Sequence, residues 1–380
     1  MELLQSSAKP IRVLDPMMGS GTVIAMARAN GHRAFGIDID PLAVLISQTW
    51  TSSCDIQTVQ STARDILKRA QIYAQSLAAK DAYPPGADKE TKQFIRYWFD
   101  LEARRELTSL AYQISKVQDE AIRTPLWCGF SRLIITKKSG ASLAMDLSHS
   151  RPHKVFSKAP NKPFSKFLAS IEKVTSSCID KRARLKGPAA SVTLGDARKL
   201  KLSNNSIDLV LTSPPYLNAI DYIRCSKFSL VWMGHTIKDL RDLRSNSIGA
   251  EVGKNFEEDP DIQQIIEKLK LKPALNKRGQ SILARFIDDL RQSINEVGRV
   301  LVPNGKAIYV MGENTIRGTY IENAKITSIL AKNAGLKLIE RKTRSLPQNR
   351  RYLPAPSKEM EGSSLNGRMR KEVVLAFIKI

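Results

Sequence analysis

The chain has 380 residues, with 60 Lys and Arg against 37 Asp and Glu and a formal net charge of +23. Its 42% hydrophobic and 26% charged residues are ordinary for a folded globular protein, and its longest apolar runs, such as 373–378, fall far short of the roughly 20 residues needed to span a bilayer. So large a basic excess points to a polyanionic partner, with nucleic acid foremost; the plain alternative is a highly soluble basic protein with no such partner.

In chain order, the first fifty residues read as strand, tight turn, helix, strand, helix. Residues 11–14 form a short apolar strand, and 15–21 a glycine-rich turn. Residues 22–30 suit a helix that Asn30-Gly31 ends, 34–39 a second strand, and Pro41 opens the next helix. Such alternation implies a parallel, doubly wound α/β sheet. Residues 55–189 change character: helix-like stretches over 61–80 and 91–117, a loop over 81–89, and a Pro- and Lys-rich irregular stretch over 151–164. Alternation returns with strands at 191–194, 207–211 (interrupted by Asp208), 306–311, 336–343 and 373–378. Seven strands result, with a mostly helical insertion between the second and third. The expected organisation is a first catalytic part over 1–54, the insertion over 55–189 as a subdomain, and a second catalytic part over 190–380.

The four cysteines, Cys54, Cys128, Cys178 and Cys225, contain no CxxC pair, which argues against a zinc knuckle and a disulfide framework. The opening MELLQSSAKP has no basic stretch followed by an apolar one, so a cytoplasmic location is expected.

The turn Asp15-Pro16-Met17-Met18-Gly19-Ser20-Gly21-Thr22 lies between a strand and a helix. Glycines there let a ligand approach the backbone, and the helix N-terminus offers free N–H groups. Asp38, at the end of the second strand and followed by Ile39, is placed to accept both hydroxyls of a ribose. Asp196, read as ending the third strand and followed by Ala197, is placed to accept from an adenine amine. A glycine loop alone also fits nicotinamide and flavin enzymes; an acid before the loop and no basic residue for a pyrophosphate favour a nucleoside with a zwitterionic tail.

Ser213-Pro214-Pro215-Tyr216 follows the 207–211 strand, at the sheet end where doubly wound folds bind ligands. Consecutive prolines hold a rigid turn and remove two N–H donors. The carbonyl of Pro214 and the hydroxyl of Ser213 can then accept hydrogen bonds from an exocyclic amine, whose lone pair is otherwise delocalised into its ring. Tyr216 offers a stacking surface, and a base in a duplex must flip out to reach it.

These two motifs resemble those of the amino-methyltransferase branch of S-adenosylmethionine-dependent DNA methyltransferases, which carry a D/N/S-P-P-Y/F/W tetrad and a DPF-x-GSGT-type cofactor loop. Met17 stands where that loop usually has Phe. The resemblance covers both flanks of the insertion. It implies a Rossmann-like seven-stranded methyltransferase sheet with S-adenosylmethionine as cofactor. Asp15, Pro16, Gly19, Ser20, Gly21 and Thr22 would hold its methionine end, Asp38 and Ile39 its ribose, and Asp196 and Ala197 its adenine. The SPPY form is associated mostly with N4-cytosine methylation, by direct transfer and without a covalent enzyme intermediate. Adenine N6 methylation, RNA amino-methylation and a non-catalytic DNA-binding subunit are the alternatives. A restriction–modification or defence setting leaves room for a cognate subunit. Relatives with this motif order usually have a helical segment ahead of the loop; here about ten residues precede the first strand, so another segment, the natural chain or a partner is expected to wall the methionine carboxylate.

Double-stranded DNA is the expected substrate, and two basic blocks are candidates for holding it. Over 131–190, 13 Lys and Arg face three acids; over 341–371, nine face two. Arg132, Lys137, Lys138, Arg151 and Lys154, with Lys158, Lys162 and Lys166, are candidate phosphate or base contacts, as are Arg344, Asn349, Arg350 and Arg351 in the second block. His149 and His153 are candidate DNA contacts, with structural hydrogen bonding the favoured reading; Pro152 between them argues against a metal pair, and no metal is expected. Tyr222, after the tetrad, stands either near the pocket or on an amphipathic helix that packs Phe228, Leu230 and Trp232 inward.

Overall fold

Seven strands, six of them parallel and one reversed, form the sheet on which every other element is placed. The computed structural model describes residues 9–53, 55–136, 139–145, 152–182, 187–217, 221–250, 259–269, 275–316, 319–346 and 371–380. In chain order β1 (Arg12–Asp15) leads to α1 (Thr22–Ala29), β2 (Arg33–Asp38) and α2 (Pro41–Thr51). The insertion contributes α3 (Ile56–Ser76), α4 (Lys89–Trp98), α5 (Leu101–Ser115), α6 (Glu120–Ile134), a hairpin of β3 (Ala144–Met145) and β4 (His153–Lys154), and α7 (Pro163–Arg182). The sheet resumes with β5 (Ser191–Leu194) and β6 (Ile207–Thr212), followed by α8 (Tyr222–Leu230), α9 (Ile237–Ser245), α10 (Pro260–Lys268) and α11 (Lys277–Val300). Then come β7 (Leu301–Met311), a hairpin of β8 (Asn314–Ile316) and β9 (Thr319–Ile321), α12 (Asn323–Asn333), β10 (Leu336–Ser345) and β11 (Lys371–Lys379).

The strand order is β10-β11-β7-β6-β1-β2-β5, with β11 antiparallel to both neighbours. Chain order reverses between β1 and β6, so the carboxyl ends of these two strands flank the topological switch point, where such sheets bind ligands. The expected Rossmann-like α/β architecture with its helical insertion is what the chain adopts. Polar residues that interrupt the apolar runs have local reasons. Asp208 accepts from the Arg12 backbone N–H at 2.7 Å and from its guanidinium at 2.9 and 2.7 Å, across the β1–β6 pair. Edge strand β10 is exposed almost throughout and densely charged, which discourages pairing with another chain.

One apolar core lies between the sheet and α10, α11 and α12, centred on residues such as Leu14, Val210, Phe286 and Leu290. A second builds the insertion, where Val59, Ile95, Leu107, Phe130 and Phe167 pack with Phe228, Leu230 and Trp232 from beyond β6. The insertion is thereby packed directly against the segment that follows the tetrad.

Several element boundaries differ from the sequence expectation. The single helix expected over 91–117 is two. Phe99 is extended and buried, its ring edge-on to Trp232 at 5.2 Å, and the Asp100 side chain caps α5 by accepting from Ala103 N–H at 2.8 Å. The helix expected over 61–80 starts at Ile56, capped by Asp55, and stops before an extended Leu77. Within the stretch expected to be irregular, β4 pairs with β3, and α7 already begins at Pro163. Strand β7 starts at Leu301 rather than 306, because Pro303-Asn304-Gly305 sits inside it as an irregularity, with Asn304 at φ +61°. Asp196 lies two residues beyond β5 rather than at its end.

Candidate active site

The cofactor loop is shaped by hydrogen bonds between its own backbone and the two strand ends beside it. Met18 N–H donates to the Ile37 carbonyl at 3.0 Å, Gly21 N–H to the Met18 carbonyl at 2.9 Å, and Gly19 N–H to an Asp38 carboxylate oxygen at 2.8 Å. Gly19 and Gly21 both have positive φ, +51° and +78°. Gly21 is the N-cap of α1, and no side chain caps that helix, so its first-turn N–H groups have no side-chain acceptor there. A Cβ on Gly19 would meet nothing within 4 Å, whereas one on Gly21 would strike Ser47. Open space therefore lies over Gly19, beside the unsatisfied helix end and Asp38.

Asp38 also accepts from Asp40 N–H at 2.9 Å, and burial pushes its carboxyl above the usual range. Asp15 is 4% exposed; it accepts from Thr212 Oγ1 at 2.8 Å and from Met17 N–H at 3.2 Å. Burial raises its carboxyl to about 7. A folded pKa above the unfolded one costs stability once pH exceeds the unfolded value, and the cost grows until pH passes about 7. Asp15→Asn is accordingly expected to raise the melting temperature at pH 8, by at most about 4 kcal/mol of stability, with the gain fading near pH 4. Thermal melts of both proteins across that range check it; a gain that is constant with pH would dismiss the ionised carboxylate as its source.

Two contacts tie the loop half to the tetrad half. One is Thr212–Asp15, just before Ser213. The other joins α8 to α2: Ser226 Oγ donates to Asp40, which is buried, caps α2 by accepting from Leu42 N–H at 2.9 Å, and is raised to about 6 by burial.

Within the tetrad, Ser213 is exposed, and its Oγ donates to the Val310 carbonyl on β7 at 3.1 Å. A hydroxyl has one proton to give, so the Ser213 oxygen keeps its lone pairs for an incoming donor. The Tyr216 hydroxyl donates to Glu372 at 3.1 Å. Burial first, and the Glu372 charge with it, drive the Tyr216 phenol well above its ordinary value, so the ring is a neutral platform and no base. The Leu217 carbonyl accepts from Asn314, which itself accepts from Asn323 at 3.0 Å, so the β8–β9 hairpin braces the end of the tetrad.

The structure brings Asp15, Pro16, Gly19, Ser20, Gly21, Thr22, Asp38 and Ile39 around the ends of β1 and β2, with the tetrad following adjacent β6. Asp196 is near, since Gly195 N–H donates to the Asp38 carbonyl at 2.9 Å, and Ala197 beside it is buried. Both Asp196 oxygens, however, accept from the Arg198 guanidinium at 2.6–3.1 Å, and Arg198 reaches on to the mostly buried Asp289 and the Asn246 carbonyl. Tyr222 is 57% exposed at the start of α8, and burial of its hydroxyl end, with the Asp38 carboxylate nearby, pushes its phenol up, while Phe228, Leu230 and Trp232 are buried as the amphipathic reading required. Asp221 caps α8 and pairs with Arg224 and Arg244.

Among the basic candidates, Arg132 and Lys166 line a cleft between α6 and α7 together with Lys173, and Lys154 sits 4.6 Å over the exposed ring of Tyr97. His153 is exposed on β4. Lys162 pairs with Glu102, and Arg344 with Glu372. Lys137, Lys138, His149, Arg151, Asn349, Arg350 and Arg351 lie outside the described residues. Arg198, Asp289, Asp40, Ser226 and Glu372 were not singled out from the sequence; only a charge opening the apolar run of β11 hinted at the last. Among the described residues no cluster of His, Cys, Asp and Glu could hold a metal, and no helix is long and apolar enough to cross a membrane.

The residues fit S-adenosylmethionine: an acid at the end of β2 for a ribose, open space over a glycine, and an uncapped helix end for a carboxylate. No family model matches the chain. It is 24% identical to the type II methyltransferase M.MvaI of Kocuria varians, over 99% of this chain and 86% of that one. It is 25% identical to the type II methyltransferase M.AvaI of a Nostoc species, over 63% of this chain and 52% of the relative, so it spans about half of that protein. Among solved structures, a SAM-dependent methyltransferase from Methanosarcina mazei aligns over all of this chain and 97% of its own, with 9% identity and a TM-score of 0.36.

Proposed function

We propose that this chain, a relative of the type II methyltransferases carrying the cofactor loop and tetrad of the amino-methyltransferase branch, transfers a methyl group from S-adenosylmethionine to the exocyclic N4 amine of a flipped-out cytosine in duplex DNA. The observation that carries the reading is the proton bookkeeping at Ser213. Its hydroxyl gives its proton to the Val310 carbonyl, and it follows directly on Thr212, which is hydrogen-bonded to Asp15 of the cofactor loop. An acceptor oxygen is thus held one residue from the hydrogen bond that ties β6 to the cofactor loop.

When bound, the cofactor supplies an electrophilic methyl group. The chain's part is to make the amine nucleophilic and to aim it. Ser213 Oγ and the Pro214 carbonyl accept from its N–H groups, Tyr216 supplies the stacking face, and positioning plus fixed dipoles lower the barrier. Serine at the first tetrad position favours cytosine N4 over adenine N6. In the insertion, Arg132, Lys166 and Lys173 and the Lys154–Tyr97 pair are the groups we assign to the DNA backbone.

Nucleoside mass spectrometry tests this. The chain is incubated with S-adenosylmethionine and mixed-sequence duplex DNA, and the digest is searched for N4-methylcytosine, which should appear and fall about tenfold to a hundredfold in Tyr216→Ala, given stacking worth about 1–3 kcal/mol per base. N6-methyladenine instead would overturn the base assignment while keeping the chemistry. No methylated nucleoside from duplex DNA would overturn the substrate.

A further inference from the structure

The tetrad tyrosine is anchored from behind by two strands that carry none of the motifs. Glu372, second residue of β11 and 9% exposed, lies in register opposite Arg344 on β10. Its oxygens divide their work: one takes Nε and an Nη of Arg344 at 2.9 and 2.6 Å, the other takes the Tyr216 hydroxyl at 3.1 Å. A nearly buried carboxylate is tolerable only when neutralised and hydrogen-bonded, and this pair of partners provides both. The Tyr216 oxygen in turn stands 3.4 Å from Ser213 Oγ. Arg344, anticipated as a DNA contact, gives its Nε and one Nη to Glu372, and its side chain is 58% exposed.

We infer that Glu372, backed by Arg344, is a positioning residue for methyl transfer: it fixes the Tyr216 ring and draws the phenol proton away from Ser213, leaving the serine oxygen open to the substrate amine. The phenol has a single proton. Given to Glu372, it cannot occupy Ser213; without the carboxylate, the nearest alternative acceptor is Ser213 itself. An amide at 372 can present its NH2 to the phenol oxygen and turn the phenol proton toward the serine, so an isosteric change reverses the polarity of the chain of hydrogen bonds. The inference deepens the function proposed above and rests on it.

The test pairs single-turnover methyl transfer, using S-adenosylmethionine labelled in its methyl group and mixed-sequence duplex DNA, with NMR of protein carrying 13Cζ-tyrosine, the Tyr216 signal being identified by its loss in Tyr216→Phe. In Glu372→Gln the transfer rate is expected to fall about tenfold to a hundredfold, with cofactor affinity and melting temperature nearly unchanged and the Tyr216 resonance shifted. Arg344→Lys, which keeps the counter-charge, should retain most of the rate; Arg344→Ala, which strips the nearly buried carboxylate of its counter-charge, should lower the melting temperature as well as the rate and shift the Tyr216 resonance, and serves if Glu372→Gln folds poorly. An unchanged rate in both, or an unmoved Tyr216 resonance, overturns the inference; so does loss of cofactor affinity in step with rate, which would mark a merely structural role. The resonance needs no turnover and decides the hydrogen-bond coupling by itself, whereas absence of product from the unaltered chain counts against the proposed function.

Discussion

Asp38→Ala is expected to weaken S-adenosylmethionine binding by at least about a hundredfold and to remove methyl transfer at ordinary cofactor concentrations. Two losses combine. The proposed hold on the ribose goes, and hydrogen bonds to a charged acceptor are worth about 1.5–3 kcal/mol each. The loop also loses its clasp, because Asp38 is the acceptor for Gly19 N–H at 2.8 Å and for Asp40 N–H at 2.9 Å. Asp38→Asn separates the two, since its amide oxygen can keep one backbone bond while the charge is gone; an intermediate affinity is expected. Calorimetric titration of the cofactor into each variant measures this, and an affinity for Asp38→Ala within threefold of the original would dismiss Asp38 as the ribose ligand.

Both pieces of this site were legible in the sequence, for a physical reason. The loop and the tetrad are each continuous, and each sits where a strand ends, so local periodicity and turn chemistry placed them. What joins them was not legible. Thr212 meets Asp15 and Ser226 meets Asp40 only because β6 lies beside β1 and α8 packs near α2, contacts that span 197 and 186 residues. Glu372 is the extreme case: its role depends on the register of β11 against β10 and on the neighbour β7 delivering Val310, which no spacing encodes. Asp196 shows the converse. Its place at the end of the third strand marked it as a candidate acceptor, but nothing local announced that Arg198, two residues on and bridging to Asp289, bonds both of its oxygens. The split of one expected helix at Asp100 belongs to the same class, since a buried Phe99 and a capping aspartate outweigh helical periodicity only once Trp232 is there to receive the ring. The basic blocks were legible as composition alone, without the surroundings of their described members: Lys162 and Arg344 have acidic partners, and Arg132 and Lys166 face a cleft.

Gly21→Ala is expected to cost far more than Gly19→Ala in stability, and the two together distinguish a packing glycine from a ligand-facing one. At φ +78° an alanine pays about 1–2 kcal/mol for the left-handed conformation. Its Cβ would also lie inside the contact distance of Ser47, 2.8 Å from that Cβ and 3.1 Å from its Cα, which adds overpacking of about 1–3 kcal/mol. Asp40 fixes the start of α2 through Leu42 N–H and Ser226, which limits how far Ser47 can retreat. A melting temperature lower by several degrees should result, with cofactor affinity falling alongside. Adding Ser47→Gly removes the struck side chain and should recover part of the loss; if it recovers nothing, the crowding argument fails and only backbone strain remains. Gly19→Ala carries a similar left-handed penalty at φ +51° but places its Cβ in open space, so its stability loss should be the smaller by the overpacking share. That same space is where the cofactor is expected, and the methyl group would meet the ligand rather than the protein. Gly19→Ala should therefore lose affinity out of proportion to its loss of stability, and Gly21→Ala in proportion. Melting curves and calorimetry on the same three proteins measure both quantities, and equal ratios for the two glycines would mean that the ligand does not lie over Gly19.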